Sequence, residues 1–247
     1  MEYLFTEWGP VMIVAIHQPN YLPWIGFFDK MNKCDKFIIL DNVQYVDRLY
    51  QQRTRIKTPK GWMWLTVPVK HKYELKPDIK DILIDKNDGK WKKKHWKSLL
   101  MNYSKAPFFE ENKDAFNRLY EREWERLVDL NEQIIKSIAQ ILGIKVEFER
   151  ASRLPVNGKK TELLISICKS VGATAYLSGP TGRDYLGEKR FEEEGIKLLY
   201  QDFNHPLYPQ LWGEFLPNMS VVDFIFNQGL ESRKFFKPVI VKKNGAF

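Results

Sequence analysis

Within about thirty residues the chain runs from one apolar stretch to another through a helical period. The first stretch is M-I-V-A-I at 12–16 and the second is K-F-I-I-L at 36–40, with Ile25, Phe28 and Met31 between them. Strand, helix and strand at this spacing form a βαβ unit. It dictates a parallel sheet, because the crossover brings the second strand back to run alongside the first. Parallel strands are covered on both faces, which is why these two runs are continuously apolar rather than alternating. The fold class predicted is therefore α/β, a mostly parallel sheet flanked by helices.

Later segments extend or interrupt that sheet. R-T-R-I, T-P-K-G and W-M-W-L-T-V-P-V from Arg53 onward predict a β-hairpin insertion turning at Gly61. Ile79, Ile82 and Ile84 predict another short strand, ended by Asn87-Asp88-Gly89. A helical section follows at 90–103, 109–120 and 122–142, the last stopped by Gly143 in the position after a helix end. Residues 146–148 predict a strand, 161–171 a helix, 175–178 a strand, 179–185 a loop followed by a charged helix to Glu194, and 197–200 a strand. Ser220-Val-Val-Asp223 resembles a capping box with Asp in the Glu/Gln position, and starts a helix to about Asn227. No repeat or low-complexity linker divides the chain. Residues 1–11 read as an N-terminal extension, 12–232 as one integrated α/β domain and 233–247 as a loose C-terminal tail.

The 247 residues suffice for a sizeable core, and 44% hydrophobic with 14% aromatic content excludes disorder. The net charge of +8 is interleaved with acids. It favours anionic small molecules, and no nucleic-acid-binding signature accompanies it. Cys34 and Cys168 form no C-x-x-C pair, so neither a zinc site nor a disulfide framework is expected. No apolar run is long enough to span a bilayer, and the first ten residues carry two acids and no basic region, unlike a signal peptide. The location expected is cytoplasmic.

The loop between the first strand and helix, H-Q-P-N-Y-L-P-W at 17–24, concentrates functional groups and is stiffened by Pro19 and Pro23. Loops at the carboxyl edge of a parallel sheet are where α/β folds place ligands. His17 is the leading general acid/base, since imidazole titrates near neutrality; a loop-bracing histidine is the plain structural alternative. Gln18, Asn20, Tyr21 and Trp24 are binding candidates. Asp41 and Gln44 end the second strand on the same edge, where a simple strand-ending turn competes with a site role. Arg53 and Arg55 alternate with Lys57 along one strand face, and arginine forks suit carboxylate or phosphate; a solvated face is the rival reading. His95 falls with Trp91 and Leu99 on one helix face, in a core or at a ligand.

Gly179, Thr181, Arg183, Asp184 and Tyr185 lie in G-P-T-G-R-D-Y, a glycine-containing loop between strand and helix that could cradle an anion with backbone N–H groups. It matches no standard nucleotide motif. His205, Tyr208 and Gln210 fall in N-H-P-L-Y-P-Q, a second proline-stiffened loop, and His205 is the second candidate base. No third ligand has telling spacing, so no metal is assigned.

The same residues carry a resemblance. A-I-H-Q-P-N-Y-L-P-W-I-G-F-F-D-K, L-D-N-V-Q-Y, R-T-R-I-K-T-P-K-G, W-K-K-K-H-W-K-S-L, Y-L-S-G-P-T-G-R-D-Y-L and H-P-x-Y-x-Q together resemble the WbqC-like protein family, over nearly the whole chain from about Met12 to Gly229. The resemblance implies a bacterial or archaeal protein associated with O-antigen and other surface polysaccharides. The activity it implies is glycine transfer to an amino sugar, and it carries over no catalytic residues. Q-P-N-Y-L-P-W-I-G is also similar to the phosphate loop of cytidylyltransferase-like nucleotidyltransferases. That likeness implies a nucleotidyltransferase-like or HUP-like start to the sheet. Tyr21 and Trp24 stand where that loop has its two histidines, so it does not imply nucleotidyl transfer.

The function expected is a transferase of surface-polysaccharide biosynthesis. Its partners would be small molecules, an activated acyl donor and an amino-sugar acceptor. The cofactor expected, where there is one, is a nucleotide or an activated amino-acid donor. A nucleotide-using nucleotidyltransferase or ligase and a non-catalytic nucleotide-sugar-binding protein are the alternatives.

Overall fold

The computed structural model describes residues 5–6, 9–70, 76–184 and 186–236. Two short antiparallel strands, β1 (Phe5–Thr6) and β2 (Gly9–Pro10), precede the domain. The βαβ unit follows as β3 (Ile13–His17), α1 (Ile25–Asn32) and β4 (Lys36–Ile39). With β9 (Glu147–Arg150), β10 (Ala175–Ser178) and β11 (Lys197–Tyr200) these strands form one sheet, ordered β11-β10-β3-β4-β9. Every adjacent pair is parallel. The α/β class predicted from the first forty residues is the one observed.

The two faces of the sheet separate by residue parity, as strand geometry requires. Ala15, Phe37, Ile39 and Leu177 face a large core that includes α1, α4 (Leu127–Leu142) and α7 (Val221–Gln228). Val14, Ile16, Ile38 and Tyr176 face a smaller core with α5 (Thr161–Ser170) and α6 (Glu188–Glu193). A one-residue slip in any strand would exchange these faces, so the register is strongly specified.

Between β4 and β9 the chain makes its insertion. β5 (Arg53–Thr58) and β6 (Gly61–Thr66) form the expected hairpin, with Gly61 at φ +107°, a turn conformation that favours glycine. Two expectations are corrected nearby. The strand predicted from Ile79, Ile82 and Ile84 is a 3-10 turn at Ile79–Asp81 followed by β8 (Leu83–Ile84), which pairs with β7 (Val69–Lys70) and bridges to Arg126. The helix predicted from 122 begins at Leu127. The backbone of 125–127 instead joins that small sheet: Ile84 N donates to Glu125 O and Leu127 N to Ile82 O. After β10 the expected loop contains a 3-10 turn at Pro180–Asp184, and the charged helix expected after it is α6.

The helical section is α2 (Trp91–Tyr103), α3 (Phe109–Glu121) and α4. Past α7, a short α8 (Ser232–Phe235) and the buried Phe236 pack on Phe224. Among the described residues no helix is long and apolar enough to cross a membrane.

Candidate functional site

In order of appearance the sheet reads third, second, first, fourth, fifth. The chain therefore leaves β3 toward β4 on one side and β10 toward β11 on the other. Loops that diverge this way open a crevice at the carboxyl ends of the two central strands. The β3–β10 ladder ends with Ala15 opposite Leu177. Carried two residues further, that register sets His17 beside Gly179. The first loop and the 179–184 loop thus leave the same sheet edge from neighbouring strands. Tyr185 lies outside the described residues.

His17 is half-buried, with its ring edge-on to Phe27 at 4.7 Å between centroids. Its Nδ1 lies 2.9 Å from the Gln18 carbonyl, so this nitrogen carries the proton and Nε2 keeps a lone pair. Nε2 has no hydrogen-bond partner among the described residues. Burial lowers the His17 pKa to about 4, the nearby Lys30 lowers it further, and the Gln18 carbonyl opposes both. The imidazole is neutral at physiological pH and presents an open acceptor.

Lys30 is a site residue that the sequence reading did not single out. The Leu40 N to His17 O bond points the His17 carbonyl at β4. The alternate carbonyl, that of Ile16, therefore points toward β10, where the ladder has ended. It accepts from Lys30 Nζ at 2.8 Å. The same amine lies 5.9 Å from the centroid of the Tyr176 ring on β10. A lysine almost fully buried on α1 thus inserts its charge where the sheet splits. Burial lowers its pKa to about 8, opposed by Cys34. The sequence signal was a lysine in the helix between two core residues, Phe27 and Met31.

The loop that carries His17 is pinned from several sides. Gln51 Nε2 donates to Gln18 Oε1 at 2.5 Å. Asn131 Nδ2 donates to the carbonyls of Pro19 and Gln51. Leu22, held at φ +41°, offers its carbonyl to both Thr54 Oγ1 and Ser220 Oγ. Strain at a bulky left-handed residue persists only where its surroundings over-determine it, as here. Asn20 is half-buried in this loop.

Trp24 lies flat on Gly26, where an added Cβ would come within 2.3 Å of the indole. The indole meets Phe203 edge-on and stacks with His205 at 6.5 Å. Trp24 and His205, candidates from distant segments, therefore meet. His205 is fully engaged: Nδ1 donates to the Pro206 carbonyl, and Nε2 accepts from Asn218 N at 3.2 Å. His17 has the open nitrogen and His205 does not.

Arg53 and Arg55 share one hairpin face with Trp64 and Trp62. In the loop after β10, Gly182 packs so closely on Ser178 that an added Cβ would lie 2.1 Å from its Oγ. Thr181, Arg183 and Asp184 are exposed there, and the Arg183 guanidinium covers the Tyr200 ring at 4.1 Å.

Other candidates sit in fully formed internal networks. Tyr21, His95 and Tyr120 are buried together. His95 Nε2 donates to Thr66 O, so its Nδ1 accepts from Tyr21 O–H at 2.8 Å, and Tyr120 O–H completes the chain to Tyr21 at 2.7 Å. Asp41 is fully buried and accepts from Ser152 N and Oγ at 2.9 and 2.6 Å, fastening the turn after β9. Gln44 is exposed and bridges to Asp78.

Tyr208 and Gln210 belong to a network around Asp223. Tyr103 O–H and Tyr208 O–H donate to the two Asp223 oxygens at 3.0 and 2.9 Å. Lys57 Nζ donates to Gln210 Oε1 and to the Glu214 carbonyl. This overturns the capping-box expectation. The Ser220 hydroxyl caps α7 by accepting from Val222 N, while the Asp223 side chain points into the core.

Among the described residues no group of three or more His, Cys, Asp or Glu is placed to hold a metal ion. Burial pushes both thiols up to about 12, so neither is a thiolate at neutral pH.

His17 and His95 set a pH dependence. Burial also lowers His95 to about 4. The unfolded chain takes up these protons below about 6.5, whereas the folded protein resists until about 4. Their contribution is therefore complete above pH 6.5 and is lost as pH falls toward 4, by up to about 3 kcal/mol per histidine. Urea melts at pH 7 and 4.5 should show that loss, and His17→Asn should lose less than wild type between the two. Equal losses in the two proteins would mean that His17 titrates normally in the fold.

The family model described as the WbqC-like protein family matches residues 18–235. An uncharacterized protein of Mycobacterium tuberculosis (strain ATCC 25618 / H37Rv) is 39% identical over 226 residues, covering 91% of this chain and 97% of that protein. No solved structure matches the chain.

Proposed function

The chain belongs to the WbqC-like protein family, and from that premise we propose that it is a transferase of surface-polysaccharide biosynthesis, joining an activated aminoacyl group, glycine first, to the amine of an amino sugar. The observation that carries the reading is the neutral His17, with Nε2 open, at the split between β3 and β10. An amine attacks an acyl carbon only after losing its proton, and Nε2 is a lone pair placed to take it. The nitrogen–carbon bond forms as the bond from acyl carbon to leaving oxygen breaks, and the electron pair departs on the donor's phosphate. An anionic donor in the crevice opposes the desolvation that holds His17 down and raises its pKa toward neutrality, where a general base works best. The buried Lys30 amine adds a positive field at the same point.

The strand order favours one rival, nucleotidyl transfer, because nucleotides bind at such strand divergences. One experiment separates them. The protein is incubated with an amino-sugar nucleotide and either glycyl adenylate or ATP plus glycine, and products are read by mass spectrometry. A mass gain of one glycyl residue on the sugar supports the proposal. Transfer of a nucleotidyl group with pyrophosphate release, or no product from any donor, overturns it.

A further inference from the structure

We propose that the Arg53–Arg55 face of the hairpin is a diphosphate-binding subsite, taking the diphosphate of a diphosphate-linked sugar with Trp64, Trp62 and Tyr50 against the attached group. The sugar rests on the function proposed above; the diphosphate rests on this face alone.

The two arginines are two residues apart on one face of β5, about 7 Å between backbones. The Arg53 guanidinium lies 4.0 Å from the Trp64 ring centroid. That of Arg55 lies 5.5 Å from Trp62 and 6.0 Å from Trp64. Indole faces hold guanidinium groups in place and leave their edges free to donate.

Those edges are largely unused. Among the described residues no carboxylate lies in ion-pair range of either arginine, whereas Arg150 engages Asp129 and Glu132 and Arg190 engages Glu162 and Glu193. The Nε atoms of Arg53 and Arg55 are shut off from solvent without a hydrogen-bond partner. Arg55 Nη2 makes one bond, to the Asn218 carbonyl at 3.3 Å. Unpaired donors of this kind are costly unless a ligand satisfies them. Each fork suits the paired oxygens of one phosphate, and two adjacent forks suit two linked phosphates.

Beside the forks lies ring surface. Trp62 is 46% and Tyr50 45% exposed, and Tyr50 packs on Trp64 at 5.9 Å. Such faces stack a nucleobase or sugar, or shield a prenyl chain. The strand that carries this face is also tied to the loop after β3. Gln51, two residues before Arg53, holds Gln18 beside His17. Arg55 O accepts from Ser220 N, and Ser220 bridges to Trp24.

Calorimetry at low salt tests this with inorganic phosphate, pyrophosphate, uridine diphosphate and geranyl diphosphate. Wild type should bind the diphosphates at least about 10-fold more tightly than phosphate. Arg53→Ala and Arg55→Ala should each weaken them about 10-fold or more, and the double variant should abolish binding. Arg53→Lys, which keeps charge but not fork, should not restore it and serves if an alanine variant fails to fold. The uridine and geranyl arms identify whether a nucleotide or a lipid carries the diphosphate. The assay reads binding without turnover, so this result stands or falls apart from the proposed chemistry. Equal binding by wild type and the double variant, or by wild type and Arg53→Lys, overturns the subsite. So does no diphosphate binding by wild type at millimolar concentration.

Discussion

Replacing His17 with asparagine should lower turnover about 10²–10⁴-fold, the usual contribution of a positioned base, while the protein folds as before. The asparagine amide can still donate to the Gln18 carbonyl, as Nδ1 does at 2.9 Å. What it lacks is a basic lone pair at the position of Nε2. The two functions of this side chain, bracing the loop and taking a proton, are therefore separable by one conservative substitution. The loss should fall on kcat rather than KM, because the base acts on the transition state and not on substrate binding. The measurement is the glycyl-transfer assay alongside a thermal melt. A normally folded His17→Asn enzyme with wild-type turnover would remove His17 as base. His205 would not inherit the role in this geometry, since both of its nitrogens are already bonded.

The sheet was legible because its signals are local. Residues 36–39, 175–178 and 197–200 are apolar runs bounded by turn residues, and each is a parallel strand where expected. Placing the first and second post-strand loops on one edge needed only the βαβ rule. The site was less legible because its meaning depends on distant partners. Lys30 follows Asp29 in a sequence that reads as surface charge, and Asp29 does pair with Lys33 one turn on. Only the opening of the sheet beside Ile16 shows why Lys30 points inward. His95 reads equally as core or ligand contact until Tyr21, 74 residues away, takes its Nδ1. Residues 122–126 continue a helical period, yet Ile84 and Ile82 claim the Glu125 carbonyl and the Leu127 N–H. Local pattern fixes what a segment prefers; long-range pairing decides whether that preference is used.

Asp223 marks the limit of that reasoning, and its removal should have the largest effect on stability. The residue is fully buried on the first turn of α7, and 120 positions separate it from Tyr103, one of its two donors. Burial pushes its pKa up, while Tyr208, Tyr103 and Lys57 pull it back. Tyr103 O–H also accepts from the backbone N–H of Lys57, and Lys57 reaches Gln210 in the loop before α7. One carboxylate thus joins α2, α7, the hairpin that carries Arg53 and Arg55, and the 204–218 loop that carries His205. Asp223→Ala strands the buried Tyr103 hydroxyl and the half-buried Tyr208 hydroxyl, which together should cost about 3–5 kcal/mol. For a chain of this size that is a fall of roughly 10–15 °C in Tm. Asp223→Asn keeps the shape and one acceptor oxygen, and should cost about half as much. Urea denaturation and thermal melts of both variants measure these values. An Asp223→Ala protein melting within about 2 °C of wild type, less than 1 kcal/mol on that scale, would show that the tyrosines find other partners.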